Sequence, residues 1–258
     1  MIDSKERFSD RVADYVRYRP GYPEALVDLL RVDCGLGPGA VVADLGSGTG
    51  ILTRALLATG SFVAAIEPNA AMRDAAERDL AGEARFRSVD ASAEATTLAG
   101  KSVDLVTAAQ AFHWFDPARA RAEFERILKP GGWVALVWND REDSALNRDY
   151  EDMLERLAPA YAAVRERDRA TQSKMRSFFA PESPRRARFS NEQRLDEAGL
   201  LGRLESSSYV PRAGQPGYDA VAARAREIYR AHQRDGHVTL AYETVVWYGR
   251  LSQAPARD

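Results

Sequence analysis

A glycine-rich turn between an apolar segment and a helix-forming segment most constrains what this chain can fold into. The apolar run Val41–Leu45 leads into Gly-Ser-Gly-Thr-Gly over 46–50, and helix-forming residues follow over 51–57. Glycine permits the sharp turn and lets a ligand approach the backbone, while the N–H groups at a helix start point towards whatever binds. The arrangement is typical of a nucleotide-type cofactor site at the end of the first β-strand of an α/β fold.

Acidic residues at three successive predicted strand ends indicate which kind of nucleotide binds. Asp44 precedes the first glycine by two residues, Glu67 follows the apolar run 62–66, and Asp90 follows a short strand over 84–89. A carboxylate repels a pyrophosphate and attracts an ammonium group. The pattern therefore favours a cationic nucleoside without phosphates. The structural alternatives are that Asp44 and Asp90 only satisfy or cap turns.

Five motifs in order resemble those of the class I S-adenosylmethionine-dependent methyltransferases, and within them the small-molecule group that includes the trans-aconitate methyltransferase-like proteins. They are V-x-D-L-G-S-G-T-G at 42–50, I-E-P-N at 66–69, V-D-A-S at 89–92, Q-A-F-H-W-F at 110–115 and L-K-P-G-G at 128–132. The resemblance implies a Rossmann-like α/β fold with a seven-stranded, mostly parallel sheet and an antiparallel C-terminal hairpin. Alternating strand and helix patterns over 41–138 predict helices on both faces of that sheet.

The same resemblance implies S-adenosylmethionine as the cofactor. Asp44 would anchor its amino group, Glu67 its two ribose hydroxyls, and Asp90 its adenine amino group, with the Ala91 N–H on a ring nitrogen. Arg19 would pair with the methionine carboxylate; its alternative is a surface arginine beside a turn. The full predicted cofactor-binding set is Arg19, Asp44, Gly46, Ser47, Gly48, Thr49, Gly50, Glu67, Pro68, Asn69, Met72, Asp90, Ala91 and Gln110.

His113 is the candidate catalytic residue. It follows the fourth predicted strand, where this fold presents the reactive methyl group, and histidine can take up a proton near neutral pH. The alternative is that His113 only shapes the pocket. The three histidines lack metal-ligand spacing and the chain has one cysteine, so no metal site is predicted.

Composition narrows the partners. A net charge of −2 offers no general attraction for nucleic acids or anionic membranes. The single cysteine, Cys34, excludes an intramolecular disulfide, and the polar start over 1–6 lacks a signal-peptide pattern. We expect a cytoplasmic protein, a monomer or homodimer, that binds neither nucleic acid nor membrane.

Four regions follow from the order of patterns. They are N-terminal lid helices over 1–32, a cofactor-binding core over 33–140, a cap insertion over 141–200, and C-terminal strands over 201–258 that complete the sheet. Two helices are predicted over 4–17 and 23–32. Within the cap, 162–188 reads as charged and irregular. The last two strands are predicted over 203–210 and 238–248.

The predicted function is methyl transfer from S-adenosylmethionine to a small-molecule acceptor by in-line displacement. The acceptor would be a carboxylate or a natural-product-like O, N or C nucleophile. The charged run that contains Arg185, Arg186 and Arg188 is typical of a solvated face, and the alternative is that one of these arginines meets an anionic substrate. Two alternatives stay open. One is a catalytically silent cofactor-binding or regulatory protein, and the other is an NAD-dependent oxidoreductase, against which Asp44 argues.

Overall fold

Seven strands and ten α-helices are described for residues 11–252 by a computed structural model, apart from the side chains of Asp168, Arg169 and Gln172. The strands are β1 (Val41–Leu45), β2 (Phe62–Ile66), β3 (Phe86–Val89), β4 (Val103–Ala109), β5 (Leu128–Arg141), β6 (Arg185–Leu195) and β7 (Val238–Gly249). The helices are α1 (Val12–Tyr18), α2 (Glu24–Cys34), α3 (Ile51–Leu57), α4 (Ala70–Asp79), α5 (Pro117–Ile127), α6 (Ala145–Leu157), α7 (Tyr161–Ser173), α8 (Met175–Phe179), α9 (Glu197–Glu205) and α10 (Tyr218–His232).

The sheet has the order β3-β2-β1-β4-β5-β7-β6. Strands β1 to β5 pair in parallel, whereas β7 pairs antiparallel with both β5 and β6. This confirms the predicted fold class, a seven-stranded mixed sheet with an antiparallel C-terminal pair. Two apolar clusters of buried residues, one centred on Phe112 and Phe124 and the other on Leu26 and Leu56, include residues of the central strands.

The sixth strand differs from its prediction. Residues 203–210, predicted as a strand, instead contain the end of α9 and an irregular turn, while β6 lies at 185–195. Residues Ala187, Phe189 and Leu195 alternate with exposed residues along β6, which is the period-two pattern of an edge strand. The charged run that includes Arg185, Arg186 and Arg188 lies at the start of this strand, and all three residues are exposed.

Two further expectations for the cap region are corrected. The segment predicted to be irregular over 162–188 contains α7, α8 and the first residues of β6. The expected cap over 141–200 therefore contributes an edge strand to the sheet. The four-region division itself stays a prediction. The predicted helix over 4–17 lies partly outside the described residues.

A third apolar cluster joins the cap helices to the sheet. Buried residues of α6, α9 and α10, among them Tyr150, Leu200 and Ile228, pack with Leu240 and Tyr242 of β7. Side-chain oxygens of Ser144 and Asp196 accept backbone N–H bonds in the first turns of α6 and α9, which is the usual N-cap interaction. Among the described helices, none combines the length and apolarity needed to cross a membrane.

Helix α1 packs closely against α9. A Cβ atom added at Gly202 would collide with the ring of Tyr18. The chain after α1 is also held by the sheet, because the Gln193 side chain donates to the Tyr18 carbonyl and Asn139 and Asn191 donate to the Gly21 carbonyl. The N-terminal helix is therefore fixed over the end of the sheet at which β5 and β6 meet the cap.

Replacing Gly202 by alanine tests this packing. We expect Gly202→Ala to lower the free energy of unfolding by about 1–3 kcal/mol, because the Tyr18 ring must move. Thermal unfolding measures the change, and Gly82→Ala is the matched control, since a Cβ at Gly82 meets nothing within 4 Å. Equal melting temperatures for the two variants would contradict the packing of α1 on α9.

Candidate active site

A cavity of about 740 Å³ lies at the carboxyl ends of the parallel strands. Its lining comes from the loops that follow β1, β2, β3 and β4, from the end of β5, and from α1, α6, α7, α9 and β7. Among the lining residues are Arg19, Gly46, Gly48, Glu67, Gln110, His113, Arg141, Glu151, Arg203, Tyr209 and Tyr242. The sheet thus builds one wall of the cavity, and the N-terminal and cap helices build the others.

The glycine turn forms the cavity floor beside β1. Gly46, Gly48 and Gly50 all have positive φ, at 62°, 57° and 84°, which favours glycine. A Cβ at Gly46 would lie 2.6 Å from the Ala111 Cβ, so the turn packs directly against the segment after β4. At Gly48 the same position meets nothing within 4 Å, and this glycine lines the cavity. The backbone there is open to a ligand.

Asp44 lies beneath the turn and is not part of the cavity lining. Its side-chain oxygens accept hydrogen bonds from Thr53 Oγ1 at 2.6 Å and Thr107 Oγ1 at 2.8 Å. Burial raises the pKa of Asp44 to about 6, although both threonine bonds oppose the rise. The carboxylate therefore ties β1 to α3 and β4. This geometry suits an indirect contact to a ligand, through the backbone or a water molecule, better than a direct one.

Glu67 faces the cavity between the turn and α4. One oxygen accepts from the Gly48 N–H at 2.9 Å and the other from the Asn69 N–H at 2.8 Å. Burial raises the pKa of Glu67, against the effect of these two hydrogen bonds. Each carboxylate oxygen has about two lone-pair sites. Both oxygens therefore keep capacity for a ligand's hydroxyl groups.

The remaining predicted residues near α4 divide into two groups. Pro68, Asn69 and Met72 line the cavity, as the sequence predicts. The cavity lining does not include Ser47, Thr49 or Gly50. Thr49 is buried, and its hydroxyl has no hydrogen-bond partner among the described residues.

Asp90 and Ala91 are turned away from the cavity. The Asp90 side chain is 70% exposed and pairs with Arg73 at 3.1 Å. Arg73 also donates to the Glu67 carbonyl, so it holds Asp90 on the outside of the loop. The next residues, Ser92, Ala93 and Glu94, line the cavity instead. The predicted contact of Asp90 with the adenine amino group stays a prediction, and nothing in the spacing of the motif indicated Ser92 or Glu94 as lining residues.

The segment after β4 brings Gln110 and His113 to the middle of the cavity. Gln110 has a φ of 56°, uncommon for a residue with a side chain, and its N–H donates to the Val137 carbonyl at 2.9 Å. His113 lies in the short 3-10 turn Phe112–Trp114, with its ring 5.1 Å from the Trp114 ring. Phe112 is buried in the core. The core thus holds this turn so that His113 faces the cavity.

Arg19, which follows α1, lines the cavity. It donates to the Ser206 carbonyl at 2.8 Å, and its guanidinium lies 4.6 Å from the Tyr15 ring centre. Burial, followed by the nearby charge of Arg203, lowers the pKa of Arg19. The predicted pairing of Arg19 with a cofactor carboxylate stays a prediction.

Several lining residues were not predicted, because they come together only through the fold. Arg141 ends β5, Arg203 lies in α9, Tyr209 follows it, and Tyr242 lies on β7. Arg141 pairs with Glu151 at 2.9 Å, and Tyr161 donates to the same carboxylate. Although burial opposes it, Arg141 is the main cause of the lowered pKa of Glu151. In the sequence, the alternation along β7 could have indicated Tyr242, because it places this residue on the same buried face of the strand as Leu240.

The arginines at 185, 186 and 188 lie elsewhere. Arg185 pairs with Asp33 and Arg188 with Glu243, while Arg186 lies over the Trp247 ring. None of the three lines the cavity. The expectation that one of them meets an anionic substrate in this site is therefore wrong.

Comparison with known proteins agrees with this geometry. Residues 43–136 match the methyltransferase domain family. An uncharacterised methyltransferase of Mycobacterium bovis is 41% identical over 143 residues, 55% of each chain. An uncharacterised methyltransferase-like protein of Schizosaccharomyces pombe is 36% identical over 148 residues, 56% of this chain and 55% of that protein. The chain spans about half the length of the curated relatives it matches.

A solved structure extends the likeness to nearly the whole chain. A proposed type II methyltransferase from Anaeromyxobacter dehalogenans superposes with a TM-score of 0.67 and 28% identity, over 90% of this chain and 98% of that one. The narrower resemblance to trans-aconitate methyltransferase-like proteins stays a prediction. By its matched domain over 43–136 and by its fold, the chain is similar to the class I S-adenosylmethionine-dependent methyltransferases.

Proposed function

We propose that this chain transfers the methyl group of S-adenosylmethionine to a small-molecule acceptor. The observation that carries the proposal is the single cavity at the strand ends, in which the glycine turn and Glu67 lie at one side and cap residues such as Arg203 at the other. Ligand sites of this fold class lie at the carboxyl ends of the strands. Walls on the cap side favour a small acceptor over a macromolecular one.

The residues of the turn fit the cofactor. The open backbone at Gly48 admits a ligand, and the free lone pairs of Glu67 can accept from two ribose hydroxyls. Asp44 stabilises the cofactor's ammonium group from beneath the turn. Bound S-adenosylmethionine supplies an activated methyl group on a sulfonium centre.

The chain itself orients the acceptor and excludes water. His113 and Gln110 lie between the glycine turn and the cap residues, and the backbone of Gln110 is held to β5. We propose that His113 positions the acceptor beside the methyl group. Alignment and exclusion of water can lower such a barrier by several kcal/mol.

A panel of acceptors tests the proposal. Carboxylates, phenols, amines and indoles are incubated with S-adenosylmethionine labelled in the methyl group, and label transfer is measured. Transfer to at least one class is expected. Cofactor binding without transfer to any of them would favour the silent, regulatory alternative, and failure to bind S-adenosylhomocysteine would reject the proposal altogether.

Replacing Glu67 by glutamine tests the ribose site. Loss of a charged acceptor costs about 1.5–3 kcal/mol, so we expect Glu67→Gln to weaken S-adenosylhomocysteine binding roughly tenfold or more. Calorimetry measures the affinity, and Glu77→Gln, an exposed position on α4, is the control. Equal affinities for the two variants would reject Glu67 as the ribose acceptor.

The raised pKa of Asp44 predicts pH-dependent cofactor binding. The carboxylate is charged above about pH 6 and neutral below it, so its attraction for an ammonium group disappears as the pH falls. Between pH 7.5 and 5, affinity for S-adenosylhomocysteine should fall by about tenfold, since one pKa unit corresponds to about 1.4 kcal/mol. Asp44→Asn should bind more weakly at pH 7.5 and vary less over this range.

Asp79→Asn, which alters an exposed carboxylate paired with Arg54, controls for the change of charge and should retain the pH dependence of the unaltered protein. The same pH dependence in Asp44→Asn as in the unaltered protein would assign the titration to another group, of which Glu67 is the candidate.

Two substitutions of His113 separate positioning from proton transfer. Glutamine keeps hydrogen bonding but takes up no proton, so His113→Gln should retain most activity and the same pH profile. A general base would instead lose roughly 10²–10⁴-fold in turnover and one limb of the profile near neutral pH. S-adenosylhomocysteine affinity should stay unchanged in His113→Gln and His113→Ala, and a fall in affinity would show that His113 contacts the cofactor.

A further inference from the structure

Three arginines meet at the cap side of the cavity. This arginine cluster consists of Arg19 after α1, Arg141 at the end of β5, and Arg203 in α9. Arg203 is only 5% exposed. Tyr209 and Tyr242 line the same part of the cavity. Burying several guanidinium groups together is unfavourable unless negative charge or hydrogen-bond acceptors compensate them.

Hydrogen bonds within the described residues use only some of the N–H donors of Arg19 and Arg203. Arg203 donates one bond, from Nη1 to the Ser207 hydroxyl at 3.0 Å, and Arg19 donates one, to the Ser206 carbonyl. The buried Nε atoms of both have no acceptor among the described residues, and neither has the Tyr242 hydroxyl. A guanidinium group cannot lose its proton in a protein. The groups left over are therefore donors that need an acceptor.

The carboxylates of the cavity do not meet this need. Glu151 is shared by Arg141 and Arg165, and Asp143 pairs with Arg148. In the part of the chain that the structure describes, Arg19 and Arg203 form no ion pair with a carboxylate. The cap side of the cavity therefore holds two buried positive charges without a negative partner.

Among the nearby tyrosines, Tyr209 responds to this excess of positive charge. Although burial opposes ionisation, Arg141, Arg203 and Arg19 together lower the pKa of Tyr209. The field at this position therefore favours negative charge. The same field would act on an anionic ligand in the cavity.

Tyr242 and Arg141 lie away from the strand that leads into the glycine turn. Tyr242 of β7 lies opposite Arg141 of β5 in the register of the two antiparallel strands. In the sheet order, β7 lies three strands from β1. At about 4.8 Å per strand, this is a distance of roughly 14 Å from the strand that leads into the glycine turn. His113 and Gln110 follow β4, which lies between them. A ligand group held at Tyr242 and Arg141 would thus lie across β4 from the glycine turn.

We propose that Arg203, with Arg141, Tyr209 and Tyr242, binds an anionic group of the methyl acceptor, a carboxylate or a phosphate. The inference rests on the proposed function and names its substrate class. The planar fork of Arg203 suits two parallel hydrogen bonds to such a group. Binding of the anionic group by the cluster orients the acceptor in the cavity. A neutral analogue of the same shape therefore binds weakly.

Binding to protein loaded with S-adenosylhomocysteine tests the proposal directly. Benzoate, succinate, citrate and inorganic phosphate are compared with benzamide and succinamide, by calorimetry and by thermal shift. At least one anion should bind and raise the melting temperature, and its amide counterpart should not. The carboxylate and phosphate arms identify which anion the cluster takes.

Variants assign the binding to the cluster. Arg203→Gln should weaken the best anion at least tenfold, and Tyr242→Phe, which removes only an unpartnered hydroxyl, should weaken it several-fold. Arg188→Gln, on the outer side of the sheet edge, is the control and should bind normally. S-adenosylhomocysteine affinity should stay within twofold in all three. Tyr242→Phe keeps the test valid if Arg203→Gln fails to fold.

Three results would overturn the proposal. Absence of binding by every anion would do so, as would equal binding by anions and amides. So would competition between anion and S-adenosylhomocysteine combined with loss of S-adenosylhomocysteine affinity in Arg203→Gln, because the cluster would then hold the cofactor's own carboxylate. By contrast, failure of the unaltered protein to bind S-adenosylhomocysteine rejects the proposed function and is seen before any anion is added.

Discussion

The buried carboxylate of Asp44 is the interaction on which the site depends. Its two bonds, to Thr53 and Thr107, join the first strand to the helix after the glycine turn and to the central strand β4. A buried carboxylate is unfavourable unless hydrogen bonds satisfy it. These bonds therefore hold the turn, the start of α3 and the end of β4 in one arrangement. The segment that carries Gln110 and His113 begins where β4 ends, so its position relative to the turn follows from this link.

Glu67 extends the same principle to the second strand. Its oxygens join the Gly48 N–H to the Asn69 N–H, so the turn and the start of α4 form one cradle before any ligand binds. Such preorganisation lowers the cost of ordering on binding. The cap side is organised differently, since the buried Nε atoms of Arg19 and Arg203 have no acceptor among the described residues. One half of the cavity is thus complete in itself, and the other half needs a ligand.

The parts of the fold and of the site that could be predicted are those encoded by short sequence patterns, whereas parts that depend on contacts between distant residues could not be predicted. The glycine turn, Glu67 and the strands β1, β2 and β7 follow from short patterns that need no distant contact. Residues 203–210 were misassigned because serines, tyrosine and valine suit a strand locally, whereas the Asp196 cap and the packing of α9 on α1 make the first part helical. The ion pair of Asp90 with Arg73 of α4 was not predicted, because the two residues meet only in the folded chain. Arg203 meets Tyr242 only in the folded chain, so no local pattern indicates that Arg203 lines the cavity.

The pairing of β6 with β7 has a consequence for how such a site can diverge. Leu195 pairs with Val238, so the long segment between them, with α9 and α10, leaves the sheet and returns to it at neighbouring points. Its ends are fixed by the β-ladder whatever its interior contains. Changes in this segment can therefore remodel acceptor recognition while the cofactor cradle, built on other strands, keeps its geometry. New substrate preferences can arise in this architecture without rebuilding the machinery that handles the methyl donor.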